Sequence, residues 1–223
     1  MTDRRKDPSV VVAVDGPAAS GKGSLSRRLA SHFGYAHLDT GLLYRAVGLV
    51  LIREGIDPEN NHAAAAAAQN LSADLLVDPS LRGDEVANMA SRVAAIPAVR
   101  EALIDYQRGF AHKPPDDAPG AVLDGRDIGT VICPEADHKI FVEASLEARA
   151  DRRVKELRER GVEAIYARVL QDMRERDTRD RTRRVAPLVP AEDAFLLDTT
   201  NIDAEAAFSA ALEFIKSRDK SDA

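Results

Sequence analysis

Sulfur and aromatic carbon are scarce in this 223-residue chain, which holds one cysteine (Cys133), three methionines, no tryptophan and 4% aromatic residues. A lone thiol cannot close an intramolecular disulfide and leaves no cysteine cluster for zinc, so a reducing compartment, the cytoplasm, is expected. Few rings also argue against a single-strand nucleic-acid surface, where bases stack on interleaved aromatics. Long apolar runs are missing as well. The stretch at 10–14 is cut at once by Asp15 and Gly16, too short for a signal-peptide core or a membrane span, so neither a targeting segment nor a membrane partner is expected. The five histidines show no ligand-like spacing and receive no role.

What is present suits one compact domain with an appendage: 44% hydrophobic and 30% charged residues, with a net charge of −6. The run at 10–14 is β-branched and continuous, as in a strand buried on both faces of a parallel sheet. Similar runs recur at 121–123, 139–142 and 194–197, each followed by helical spacing, so strands and helices alternate. Helices are predicted from about Gly21 to Gly34, from Thr40 as N-cap to about Gly55, and after Pro97. In the last helix Phe208, Ala211, Leu212 and Ile215 form a core-facing stripe. Residues 63–68 are all alanine and favour a helix, while Pro114, Pro115 and Pro119 mark a loop. The alternation lapses between 55 and 91.

The strongest signal is GPAASGKGS: Gly16, Pro17, Ala18, Ala19, Ser20, Gly21, Lys22, Gly23 and Ser24, lying directly between an apolar strand and a helix. It is a P-loop in the required context. Glycines allow the tight turn, successive N–H groups and the positive helix end surround a polyphosphate, and Lys22 adds a point charge. The strict motif puts Ser or Thr right after the lysine, whereas here Gly23 intervenes. Ser24 is therefore the candidate hydroxyl for Mg²⁺, an ending common in small nucleoside monophosphate kinases. No Asn-Lys-x-Asp string is present, and the one Asp-x-x-Gly, at 117–120, falls in the proline-rich loop, which disfavours a GTPase.

Residues 149–184 hold thirteen basic and eight acidic side chains, a local excess of five. Arg149, Arg152 and Arg153 share one helical face by spacing, and Arg176, Arg179 and Arg183 another. Two readings stay open: a solvated helix with internal pairs such as Asp172 with Arg176, or a surface that docks something anionic.

Two further strings, LDTGLLYR at 38–45 and LDGRDIGT at 123–130, stand where a second substrate would lie. With the P-loop, ASRVAAIPAVREAL at 90–103 and RDTRDRTRRVAPL at 176–188, they closely resemble the bacterial cytidylate kinase family, with motifs in the family's order from about 10 to 198. The resemblance implies an α/β, P-loop NTPase-type fold, with a parallel five-stranded sheet flanked by helices, an acceptor-binding insertion and a helical lid. It implies a single kinase domain over 1–223: core at about 9–55, 92–148 and 185–217, acceptor segment at about 56–91, lid at about 149–184. The implied reaction phosphorylates CMP or dCMP from ATP with Mg²⁺.

Family roles carry over to matching positions. Thr40, Arg45 and Arg126 come near the acceptor phosphate, with Tyr44 in the same substrate-binding string. Ser91, Arg100 and Asp127 surround cytosine, Arg176 and Asp180 sit by the ribose, and Arg183 is close to the acceptor. Lys22, Arg126, Arg152, Arg176 and Arg183 form the catalytic set. Asp124, ending an apolar strand, fits a carboxylate that meets magnesium through water, the alternative being a helix or turn cap. The family's acceptor segment usually contains a small β-insertion, whereas here one plausible strand, at 75–77, precedes Pro79 and Gly83.

The chemistry agrees with these residue types. Cytosine offers an amino donor to a carboxylate and ring acceptors to an arginine, while uracil would set a carbonyl against Asp127. The acceptor phosphate is already anionic, so arginines, lysine and Mg²⁺ are needed rather than a base. The rivals are another small P-loop kinase acting on UMP, AMP or a small metabolite, and a nucleotide-gated RNA-binding module using the basic segment. The expected partners are ATP, CMP and dCMP with no nucleic acid, and a monomer is expected.

Overall fold

The computed structural model describes residues 9–219, and the expected domain limits of 1 and 223 fall outside that span. Strand β1 (Val10–Asp15) is the middle of the sheet. It pairs in parallel with β3 (Gly120–Gly125) on one side and β4 (His138–Glu143) on the other. Beyond them lie β2 (Ala36–Asp39) and β5 (Phe195–Asp198), giving the order β2-β3-β1-β4-β5 with every pairing parallel.

The unbroken valine run follows from burial on both faces. Val12 and Val14, with Val122, Ile140 and Val142, pack against helices α1 (Lys22–Phe33) and α8 (Ala204–Asp219). Val11 and Ala13, with Ala121 and Leu123, face the opposite side, toward helix α5 (Pro97–His112) and a single π turn, Ile128–Ile132. The period of two that sorts these side chains is the strand's own. In α8 the buried stripe runs through Ala207, Ala211 and Ile215, with Phe208 and Phe214 packed beside it; Leu212, expected in that stripe, is half-buried outside the cluster.

Helix α2 is Thr40–Glu54, and its N-cap is Asp39 rather than the expected Thr40. Thr40 is already helical, and its hydroxyl donates instead to the Asp124 carbonyl at 2.9 Å, tying α2 to the end of β3. The alanine run forms α3 (Asn61–Gln69), capped by the Asn60 side chain accepting from the Ala63 N–H at 3.1 Å. These helices share an apolar cluster with α5 and with α4 (Asp84–Val93). Pro97 opens α5, where a missing N–H costs nothing.

The strand expected at 75–77 is instead part of a 3₁₀ turn, Ala73–Val77, followed by a second, Pro79–Arg82. Ser72 and Asp78 accept from the Asp74 and Ser80 N–H groups, local bonds that compete with a ladder, and Val77 is 83% exposed. Among the described residues, 56–91 holds no strand.

Helices α6 (Leu146–Glu159) and α7 (Tyr166–Thr182) form a hairpin with its own apolar cluster of Ala150, Val154, Leu157, Val169 and Met173. Polar contacts join it to the acceptor segment: Arg153 to Asp84, Arg160 Nη1 to the Arg82 carbonyl at 3.0 Å, and Arg179 Nη1 to Asn88 Oδ1 at 3.0 Å. Among the described residues no helix is long and apolar enough to cross a membrane.

Candidate active site

All five strands end on one edge of the sheet, where ligands bind in folds of this kind. The chain leaves β1 toward β2 on one side and leaves β4 toward β5 on the other, so the loops part above β1. The loop Gly16–Ser24 rises there. Gly16 has φ +153°, and a Cβ on it would lie 2.1 Å from the Val142 carbonyl oxygen, so no side chain fits. Gly21, at φ +92°, caps α1, and Lys22 is the first helical residue. Free N–H groups, the positive helix end and an ammonium therefore converge on one point.

Two cavities flank this loop. The larger, about 400 Å³, is lined by Ala18, Ala19 and Lys22 of the loop, Arg45 of α2, Arg126 after β3, Arg153 of α6, and Arg176 and Arg179 of α7, with the carboxylates of Asp84, Glu85, Glu156, Asp172 and Glu175 also on its wall. The smaller, about 240 Å³, lies against Ser20, Gly21 and Ser24, with Arg28, Arg152, Thr199 and Asp203 around it. Burial, and then the nearby Arg126 charge, push Lys22 down to about 8 and Arg176 down to about 10. Burial also lowers Arg45, whose Nη1 donates to the Leu81 carbonyl at 2.8 Å. The buried Nε of Arg176 has no hydrogen-bond partner, and its closest carboxylate oxygen, on Asp180, is 3.9 Å away. Crowded cations with an unsatisfied donor are what a bound oxyanion would relieve.

Next to this cavity lie two carboxylates held by arginines. Asp180 accepts from the Ser91 hydroxyl at 2.8 Å and from Arg126 Nε at 3.1 Å. Burial pushes its carboxyl up, but the Arg126 and Arg176 charges outweigh burial and hold it below the usual range. Asp127 accepts from Arg100 Nη2 and, at 3.3 Å, from Arg183 Nη2. The Arg100 guanidinium stands over the Tyr44 ring at 5.7 Å. Ser91, Arg126 and Arg176 thus gather at Asp180, and Arg100, Arg183 and Tyr44 at Asp127, two clusters joined through the adjacent residues Arg126 and Asp127.

The shared helical faces do not hold. Arg183 lies beyond the end of α7 with extended ψ, donating from Nε to the Ala186 carbonyl at 2.5 Å. On α6 the three arginines part company. Arg149 is buried, bonded to Asp177 at 2.5 and 3.1 Å, to the Ala18 carbonyl at 3.3 Å and to the Ala144 carbonyl at 3.0 Å. Arg152 holds the Thr199 hydroxyl and carbonyl, beside the smaller cavity. Arg153, which lines the larger cavity, is paired with Asp84 and Glu156. Helical spacing gave the direction of departure, but long side chains bend to the nearest carboxylate or carbonyl.

Asp124 neither caps a helix nor a turn through its carboxylate. Its Oδ2 meets His37 Nε2 at 2.8 Å, and a Cβ on Gly23 would come within 3.9 Å of that oxygen. Burial raises this carboxyl, but the His37 hydrogen bond and the Lys22 charge more than offset it, leaving it below the usual range. Ser24 is exposed, with its hydroxyl accepting from Arg27 Nη2 at 3.3 Å. A hydroxyl and a carboxylate kept ionised are hard oxygen donors suited to Mg²⁺, which keeps several waters. His37 had no signal in the sequence; its contact comes from β2, which pairs it with Val122, two residues before Asp124 on the same face of β3.

The family model for cytidylate kinase matches residues 12–217. The chain belongs to the cytidylate kinase family. It is 60% identical over 210 residues to a cytidylate kinase of Paramagnetospirillum magneticum, covering 94% of this chain and 99% of the relative. It is 58% identical over 208 residues to a cytidylate kinase of Methylocella silvestris, covering 93% and 94%. Among solved structures, an uncharacterised protein from Eubacterium ventriosum superposes with a TM-score of 0.53 at 13% identity, covering 93% of this chain and 99% of that one, a likeness of fold alone. Membership in the cytidylate kinase family agrees with a phosphate cradle facing a second, arginine-rich cluster.

Proposed function

We propose that this protein transfers the γ-phosphoryl group of ATP to CMP or dCMP, giving ADP and CDP or dCDP. The observation that carries the reading is the larger cavity, where Lys22, Arg45, Arg126, Arg153 and Arg176 line one space between the P-loop and the clusters at Asp127 and Asp180. Two anionic nucleotides repel each other, and cations placed on both sides of that space remove the barrier. The phosphate oxygen of the acceptor attacks the γ-phosphorus while the bond to the β-phosphate oxygen breaks. No proton has to leave first, so the chain's own task is to align and neutralise.

Residues 16–24 cradle the donor phosphates. Arg152, held at Thr199 beside the smaller cavity, acts on the donor side. Thr40, Arg45, Arg126 and Arg183 serve the acceptor phosphate side, Arg176 and Asp180 the sugar, and Tyr44, Ser91, Arg100 and Asp127 the base. Mg²⁺, held by Ser24 with Asp124 acting through water, would supply further charge neutralisation at the phosphates. Residues 149–184 act as a lid and 56–91 as the acceptor segment. The reading includes a cytoplasmic monomer with no nucleic acid among its partners.

A panel of CMP, dCMP, UMP and AMP, each with ATP and Mg²⁺, tests this. CMP and dCMP should be turned over with kcat/KM at least tenfold above the others. Preference for UMP or AMP would overturn the base assignment. Salt-sensitive RNA binding without CMP turnover would replace the kinase reading altogether.

A further inference from the structure

Asp15 closes β1 one residue before the cradle opens at Gly16. Its carboxylate is 5% exposed and reaches the next loop with both oxygens: Oδ1 accepts from the Ile128 N–H and Oδ2 from the Gly129 N–H, each at 2.8 Å. Those two amides open the turn Ile128–Ile132, which directly follows Arg126 and Asp127.

The later amides of the turn satisfy themselves. Val131 and Ile132 donate to the Asp127 carbonyl, and Cys133 to that of Ile128. Its first amides need a capping acceptor, and Asp127 stands at the N-cap with a side chain well suited to that. Asp127 makes no such bond because its two oxygens go to Arg100 and Arg183. The cap comes from Asp15 instead, 113 residues away in sequence.

We propose that Asp15 is a positioning residue for acceptor recognition: by capping the 128–132 turn from β1, it keeps the Asp127 carboxylate out of the cap and with Arg100 and Arg183, turned to the base. It also fixes Arg126 against the strand that launches the phosphate cradle, so one side chain sets the distance between the two substrate halves. This rests on the reading that Asp127 and Arg126 hold the acceptor nucleotide. Burial pushes the Asp15 carboxyl up to about 7, with the two amide bonds pulling it back. Buried and held by these two amides, a carboxylate at this place is costly unless both amides need it.

The test is Asp15→Asn, close in shape but able to accept from only one of the two amides, with its NH₂ group set against the other. The uncapped amide then draws Asp127 away from the base. KM for CMP should rise at least tenfold and the CMP-to-UMP ratio of kcat/KM should fall at least tenfold, while ATP affinity measured without acceptor changes less than twofold. A folded variant with the wild-type KM and ratio would overturn the proposal, as would equal weakening of ATP and CMP, the mark of a general prop. Wild-type enzyme is assayed alongside: its failure to use CMP would sink the reading of the site, whereas an active wild type with an unaltered variant sinks the Asp15 role alone. Should the variant not fold, amide exchange in nucleotide-free wild type decides. Slow exchange at Ile128 and Gly129 upholds a turn capped before substrate arrives, and fast exchange overturns it.

Discussion

Replacing Asp127 by Asn separates charge from shape at the end of the site proposed to recognise the base. Asp127 is 5% exposed, and its partners Arg100 and Arg183 are 7% and 9% exposed. Asn keeps the volume but leaves two buried guanidinium groups without a counter-charge. Breaking a buried ion pair from one side costs about 3–5 kcal/mol, and a domain of this size loses about 2–4 °C in Tm for each kcal/mol, so the melting point should fall by roughly 6–20 °C. A hydrogen bond to a charged acceptor contributes about 1.5–3 kcal/mol, so kcat/KM for CMP should fall by roughly 10- to 150-fold. UMP should lose far less, because an amide can turn its NH₂ toward the uracil carbonyl. Thermal melts and kcat/KM for both nucleotides are the assay. Adding Arg100→Gln to the variant should recover part of the lost Tm and none of the CMP activity, since it removes one of the two stranded charges without restoring the acceptor. A single variant that melts within about 2 °C of wild type, or that keeps the CMP-to-UMP ratio, would refute the reasoning.

Arg149→Ala should lower stability by about 3–5 kcal/mol in denaturant melts, because it strands Asp177 and frees the Ala18 carbonyl, and it should also raise KM for ATP. Arg176→Ala should cut kcat at least a hundredfold with a Tm change under about 3 °C, whereas Arg152→Ala should act mainly on KM for ATP; near-normal kcat in the first would remove Arg176 from the transfer step. For pH, the folded Asp15 carboxyl, at about 7, lies above its unfolded value of 3.8, so the native state holds the extra proton between them. This contribution to stability is full below about pH 4 and is lost as pH rises through 7, a span of up to roughly 4 kcal/mol in which Asp127 and Arg126 are the charged groups acting on the carboxyl. Subtracting the Asp15→Asn stability profile from wild type should reveal that decline; a flat difference would contradict it.

The parts of the site legible in the sequence are those whose chemistry is contiguous in the chain. The P-loop is one, since a strand, nine loop residues and a helix carry the whole device. Pairings across distance were not legible. Arg126 finds Asp180, 54 residues on, and Arg149 finds Asp177 and Ala18 because packing of α6 on α7 and on the loop brings them together. Strand β2 lay hidden because Ala-His-Leu-Asp has no β-branched run and only half-buried residues at an edge. The segment 75–77 resembled a strand by hydrophobicity, but Ser72 and Asp78 had local bonds on offer. In the sequence Asp15 marks only the end of an apolar run, since nothing there reports that a carboxylate will be buried against another loop's amides.

The hairpin of α6 and α7 keeps its hydrocarbon to itself. Its oily cluster takes in Ala19 of the loop but no residue of 56–91, and three arginines reach across to an aspartate, a carbonyl and an asparagine. On the proposed reading of 149–184 as a lid, parting these two flaps would trade polar bonds for water and bare little grease, so spent nucleotides would escape at modest cost with the hairpin intact.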